Sequence, residues 1–319
     1  MDFNLLIENL TNPALLFFVL GIFAVLLKSD LEIPENSSKF ISLYLLFSIG
    51  FRGGQELSHD KITSEILWSM ALGLFISIII PLYTFFILKK KLSIEDAGAI
   101  ASTYGSVSAV TFVTASSYLE TLKLGLHGHM VAVMALMESP AIIMGLILIS
   151  IYNKSEYKIN KKSVIKHSLL NGSVLLILGS LIIGYMATTK QAEGIKPFTN
   201  DIYKGFLAIF LLDMGITSGK KLKSFFSFGW FPFLFASLIP ILNGCVFAIL
   251  SSLVTSDVSN RFMFAILAAS ASYIAVPAAM KINVPKANPG LYLPMALAVT
   301  FPINITIGMP IYYLIIQRF

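Results

Sequence analysis

The sequence predicts an all-α polytopic membrane protein, with ten transmembrane helices in two inverted five-helix repeats and discontinuous helices in each. Three observations carry that expectation. The 319 residues are 56% hydrophobic and 13% charged, with a mean hydropathy of +0.81, a balance suited to lipid rather than water. Apolar runs of about twenty residues recur from end to end, the length a helix needs to cross a bilayer, and the short alternating segments of a β-barrel are absent. Three patterns in the first half return in the same order in the second.

The spans read in order as follows. The first covers about Pro13 to Leu27, after a short interfacial segment. No Lys or Arg precedes Lys28, so this run is expected as a retained helix rather than a cleaved leader. The second, about Phe40 to Phe51, is short and is expected to end in Gly50, Gly53 and Gly54. The third, about Ile66 to Leu88, stops at Lys89, Lys90 and Lys91. The fourth covers about Ala97 to Tyr118 and the fifth about Met130 to Tyr152. After a loop with Lys154, Lys158, Lys161 and Lys162 come Leu169–Met186, Tyr203–Ile216, Trp230–Leu253, Phe262–Met280 and Leu291–Ile316. Cys245, the single cysteine, lies in an apolar run and reads as a small core residue.

Folding the chain at the Lys-rich loop aligns Gly50–Leu57 with Gly215–Leu222, and Ser106–Val110 with Ser272–Val276. Met134-Ala135-Leu136 before Pro140 aligns with Met295-Ala296-Leu297 before Pro302. The repeats are therefore residues 1–152 and 166–319, joined by a cytoplasmic connection at 153–165. An odd number of spans inverts the second repeat, as in many secondary transporters. Placing the termini and the even-to-odd loops on one side gives that side Arg52, Lys61, Lys123, Lys190, Lys196, Lys204, Arg261 and Arg318, eight of the 23 cations. The other side holds the remaining fifteen, so both termini are expected outside.

Ser102-Thr103-Tyr104-Gly105-Ser106-Val107-Ser108-Ala109-Val110-Thr111 interrupts an apolar span with hydroxyls, and Ala269–Pro277 does the same in the second half. Such residues gain nothing from lipid. They suit either close helix packing or the broken, midplane helices that bind solutes in inverted-repeat transporters. Their repeat relation favours binding, through Gly105, Ser106, Ser108, Thr111, Ser270, Ser272 and Tyr273, with Pro277 expected to interrupt the ninth span. Half-helix N-termini expose N–H groups to an anion. Glu138 and Asp213 lie inside spans, where a carboxylate is costly and is expected to be functional or paired. Either would serve sodium or proton coupling, as would Asn304, with Thr306 a further ligand; Asn304 equally bridges helices. Arg52 attracts anions at the entrance or simply marks an interface. His127-Gly128-His129 lacks a partner at ligand spacing and reads as a solvated turn, and no other metal site is expected. No nucleotide-binding or hydrolase motif occurs in a credible context, so the expectation is not an enzyme, with no cofactor beyond a coupling ion.

At these residues the chain resembles the cyanobacterial sodium-dependent bicarbonate transporter family (SbtA-type permeases). The resemblance rests on Ile33-Pro34-Glu35, Gly50 with Gly53-Gly54, the run at 105–111, Glu138-Ser139-Pro140-Ala141, the run at 268–279 and Lys286-Ala287-Asn288-Pro289. It implies ten helices in inverted repeats, core and gate domains, sodium-coupled bicarbonate symport across the inner membrane, and a homotrimer. Two features depart from it. Tyr273 stands where the family pattern has Asp, and the connection between repeats is short, so a PII-like regulator is not carried over. The alternatives are a sodium- or proton-coupled symporter of another small anion, such as an organic carboxylate, or an anion-binding membrane sensor without transport. A channel would need a continuous polar path, and few spans are polar.

Overall fold

A computed structural model describes residues 11–59, 63–153 and 172–319, and every regular element among them is helical. The connection between the repeats beyond Asn153, with its lysines, the interfacial segment at residues 1–10 and Lys61 lie outside the described residues. The helices are α1 (Pro13–Leu26), α2 (Glu35–His59), α3 (Ser64–Leu88), α4 (Ile94–Gly105), α5 (Ala109–Thr121), α6 (Gly128–Tyr152) and α7 (Gly172–Met186). They continue with the short α8 (Thr189–Glu193), α9 (Tyr203–Phe225), α10 (Trp230–Leu250), α11 (Val258–Ala269), α12 (Ala275–Asn283) and α13 (Pro289–Arg318). Five stretches are long and apolar enough to cross a bilayer: α3, α6, α13, Pro197–Leu222 around α9, and Trp230–Leu253 around α10.

Helix starts follow local chemistry. Asn12 accepts from Ala14 N ahead of Pro13, Ser93 from Asp96 N, and Asn288 from Gly290 N ahead of Pro289. Each pairs a backbone donor that the first turn would otherwise leave unsatisfied. Proline in a first turn is harmless, because its missing N–H has no intrahelical partner there. α13 contains two π-helical stretches, Met295–Thr300 and Asn304–Gly308, flanking Pro302. Leu16, Phe23, Leu67, Trp68, Leu234 and Leu238 are exposed on α1, α3 and α10, apolar surface on a scale that suits lipid contact.

The second span does not end at its glycines. α2 is 25 residues long and runs through Gly50, Gly53 and Gly54 to His59. These residues mark close helix approach. A Cβ on Gly54 would lie 2.1 Å from Leu181 O, and one on Gly184 of α7 would lie 2.2 Å from Phe51 O. α1 and α9 use the same device: a Cβ on Gly21 would meet Leu212 O at 2.3 Å, and one on Gly215 would meet Phe18 O at 2.1 Å. α1, α2, α7 and α9 thus pack as one group, and α3–α6 with α10–α13 form another.

Cross-contacts sort the helix ends onto two faces. One face holds Asn12, the Arg52–Glu120 pair at 2.6 Å, the Lys204–Glu120 pair at 3.1 Å, and His127–Asp257 at 3.4 Å. The other holds Glu35, Asn153 donating to Glu95 at 2.7 Å, and Asn288 N donating to Asp96 at 2.7 Å. His127 therefore has an acidic partner, and His129 is 4% exposed in the first turn of α6, so the turn reading of this motif is corrected: α6 begins inside it. No group of three or more metal-ligating side chains occurs among the described residues.

Gly179 and Gly184 share α7, yet a Cβ on Gly179 meets nothing within 4 Å. Gly179→Ala is expected to be neutral or up to ~1 kcal/mol stabilising, through helix propensity alone. Gly184→Ala is expected to cost about 1–3 kcal/mol by overpacking, and thermal unfolding of the detergent-purified protein reads the difference. Asp257 caps α11 by accepting from Asn260 N at 2.8 Å. Its hydrogen bond with His127 holds its carboxyl below the usual carboxylate range. A depressed folded value stabilises above the unfolded value of about 3.9, and that contribution is lost as pH falls through the folded value. Asp257→Asn keeps a capping acceptor and is expected to flatten the acid side of the stability–pH curve measured in detergent.

Candidate functional site

Two spans are broken, and the breaks meet inside the helix bundle. α4 runs inward from the Glu35 face to Gly105, and α5 continues from Ala109 to the Asn12 face. α11 runs inward from the Asn12 face to Ala269, and α12 continues from Ala275 to the Glu35 face. Both inward helices end at a serine in extended conformation, Ser106 (φ −88°, ψ 173°) and Ser270 (φ −77°, ψ 165°). Pro277 is the third residue of α12. It does not interrupt the span: the break lies upstream, and Pro277 occupies a first-turn position that proline tolerates. Gly105 is likewise a packing residue, since a Cβ there would lie 2.0 Å from Pro81 Cγ on α3.

Hydrogen bonds stitch the breaks together. Ser272 N donates to Thr103 O at 2.8 Å, and Ser108 N donates to Ser270 Oγ at 3.3 Å. Ser108 Oγ in turn accepts from Thr111 N at 3.1 Å and caps α5. α12 starts without a side-chain cap, because Ile274 has none to offer. Two helix N-termini and two C-termini therefore converge at one depth, so partial charges of both signs face a small volume. Ser106 is fully buried, and its hydroxyl has no hydrogen-bond partner among the described residues.

Glu138, 7% exposed on α6, lies against this crossing. It lines a small pocket with Val107, Ser108, Ser272, Tyr273 and Ile274. None of the ion pairs among the described residues involves it. The structure thus brings Ser106, Ser108, Ser270, Ser272, Tyr273 and Glu138 to one place. Thr111 is 1% exposed, one turn along α5, and contributes its backbone N–H to the Ser108 cap.

Asp213 and Asn304 lie elsewhere. Asp213 accepts from the Ser38 hydroxyl and lines a larger cavity of about 680 Å³. That cavity includes Glu35, Lys39, Lys220 and Lys221, and reaches Tyr273. Asn304 is fully buried, donates to Ala269 O at 2.7 Å, and accepts from Tyr312 OH at 2.9 Å. Both ends of its amide are occupied, so it holds the carbonyl end of α11 rather than facing the pocket. Thr306 donates to Pro302 O at 2.7 Å, a bond within its own helix. Arg52 pairs with Glu120 and does not stand open to anions.

The sequence reading missed two contributions. Ser38 gave no signal, being one serine near a helix start. Tyr104 shares a hydrogen bond with Thr300 at 2.8 Å, and Thr300 donates to Ala236 O at 2.7 Å, tying α4 to α13 and α10. Tyr104 sits inside the hydroxyl-rich run, which was the available clue.

Comparison with curated proteins found no match to an individual sequence. Comparison with protein families did: the model of the Na+-dependent bicarbonate transporter superfamily matches residues 13–317, through both broken spans and nearly every described residue. The chain is a multi-pass membrane protein and belongs to the Na+-dependent bicarbonate transporter superfamily.

Proposed function

We propose that the protein is a secondary active transporter that couples sodium entry to bicarbonate uptake across the inner membrane. The observation that carries this reading is the convergence of two broken helices beside the buried, unpaired Glu138. N-terminal ends of half-helices favour an anion, while carbonyl ends and a carboxylate favour a hard cation. Sodium binding near Glu138 neutralises it, and the anion then docks on backbone N–H groups and on the hydroxyls of Ser106, Ser108, Ser270 and Ser272. Asp213, on the wall of the larger cavity, serves the cation's route rather than its final site.

The ten-span inverted repeat belongs to the same reading. It is supported by matching ends: Gly105 before Ser106 and Ala269 before Ser270 both close an inward helix. This pairs Ser106 with Ser270, two residues away from the register the sequence suggests. The close pairs α1–α9 and α2–α7 exchange under the same relation. Outside termini follow from the lysines on the Glu35 face, among them Lys89, Lys90, Lys91, Lys220 and Lys221. The larger cavity, open to the Glu35 side, is then a cytoplasmic vestibule. A second reading, symport of a small organic carboxylate, is favoured by one feature: Tyr273 places a neutral ring in the break where the resembling family has a carboxylate.

Proteoliposomes with an inward sodium gradient, at fixed pH and potential, are expected to accumulate labelled bicarbonate, and those without the gradient are not. Uptake of a carboxylate but not bicarbonate selects the second reading, and accumulation driven by a proton gradient alone assigns Glu138 to protons. Glu138→Gln is expected to lower sodium-dependent uptake at least about tenfold, the equivalent of ~1.4 kcal/mol. Ser106→Ala is a sharper case. Removing a buried hydroxyl without a partner relieves a desolvation cost of about 1–3 kcal/mol, so this variant is expected to be as heat-stable as the parent or more so, yet to take up less bicarbonate. Unchanged uptake in both variants overturns the site assignment.

A further inference from the structure

The small pocket beside Glu138 and the larger cavity share three lining residues: Ser173, Tyr273 and Ile274. Tyr273 is the only one of the three with a large ring. Its residue surface is half-buried, but its hydroxyl oxygen is wholly buried. The side chain therefore shows part of its surface to the cavity and points its polar end inward. That hydroxyl lies beside the Ser108 side chain, short of a made hydrogen bond. The ring also meets Phe301 edge-on, with centroids 6.5 Å apart and planes at 68°. Phe301 is itself packed edge-on against Phe18 of α1 at 5.6 Å. Tyr273 belongs to the residues linking α11 and α12, outside either helix, so its backbone is not held in a helical ladder.

We propose that Tyr273 is a thin gate: its ring is the partition between the cytoplasmic-side cavity and the Glu138 pocket, and it must swing aside for a solute to pass between them. The naming of the pocket as the substrate site rests on the transport reading above; the partition itself does not. The hydroxyl fits this role chemically. In the closed position it brings a hydrogen-bond donor to the pocket beside Ser108, where an anion would accept it, and a phenol adds no charge to repel that anion. The passage it leaves when rotated sets the size of solute that can leave the pocket, which makes Tyr273 a specificity-determining residue as well as a barrier.

The test reads accessibility and does not need transport. In a Cys245→Ala background, Ala109→Cys places a reporter on the wall of the small pocket, and Thr217→Cys places a control on the wall of the larger cavity. The full-length protein in detergent is treated with a small methanethiosulfonate reagent, and modification is followed by mass. With Tyr273 present, the control is expected to react quickly and the pocket reporter slowly. Tyr273→Ala is expected to raise the reporter's rate at least about tenfold, since a minor open state of about 10% or less throttles access by that fraction. Tyr273→Phe keeps the ring and is expected to leave the rate essentially unchanged, because the hydroxyl it removes makes no hydrogen bond among the described residues. Should Tyr273→Ala fail to fold, as judged by its unfolding transition, Tyr273→Leu takes its place with a smaller expected rise. A reporter that reacts as fast as the control while Tyr273 is present overturns the gate, and so does a rate that ignores loss of the ring. If the gate holds and the protein moves neither bicarbonate nor a small organic carboxylate, the transport reading fails on its own.

Discussion

Four helix ends inside an apolar bundle are the constraint on which the rest of this structure depends. A helix end leaves up to four backbone groups unpaired, and in a low-dielectric interior each such group costs several kcal/mol. The break in α4–α5 and the break in α11–α12 resolve part of that cost on each other, through Ser272 N to Thr103 O and Ser108 N to Ser270 Oγ. Asn304 takes a further carbonyl, that of Ala269. The Ser106 hydroxyl has no partner among the described residues, and α12 starts without a side-chain cap. The proposed site for a charged solute lies where this accounting is incomplete, and the pairs already made fix its geometry.

That geometry needs support from outside. Pro81 of α3 packs where Gly105 lacks a side chain, and Ser102 packs against Gly145 of α6 so closely that a Cβ there would sit 1.8 Å from Ser102 Oγ. Small residues here let helices approach and make dispersion contacts, the main attraction available where lipid is as apolar as the protein. The Arg52–Glu120–Lys204 cluster joins α2 and α9 to the far end of α5. It lies on the face opposite the larger cavity. The ion-pair cluster and the larger cavity are therefore on opposite sides of the same crossing.

Much of the crossing was legible in the sequence because hydroxyl residues in a membrane-length apolar run have few uses. Ser106, Ser108, Ser270 and Ser272 were identifiable on that ground together with the repeat relation between their two stretches, and Glu138 by the cost of a charge in a span. Two misreadings share one cause: glycine and proline signal several things at once. Gly50, Gly53 and Gly54 looked like a helix end and are a packing face, because propensity costs about 1 kcal/mol per glycine while close packing can return more. Pro277 looked like a break and is a first-turn residue, because the sequence does not show that the chain has already left the helix seven residues earlier. Asn304, read as either a ligand or a helix bridge, bonds Ala269 O and Tyr312 OH, a long-range pairing that no local pattern encodes.

Electrostatics then orders the proposed events. Glu138 and a docked bicarbonate are like charges in one small pocket. At about 5 Å and an effective dielectric of 20, two such charges repel by ~3 kcal/mol, enough to lower anion affinity about a hundredfold if Glu138 is ionised and alone. A monovalent cation beside Glu138 removes that repulsion and substitutes attraction. In the proposed mechanism the anion therefore binds well only after the cation, and the coupling is reciprocal, since a bound anion must hold the cation by the same factor. A neutral phenol at Tyr273 fits this arithmetic: a second carboxylate in the break would add to the repulsion an anion meets, whereas Tyr273 leaves Glu138 as the one charged residue among the described residues lining the small pocket.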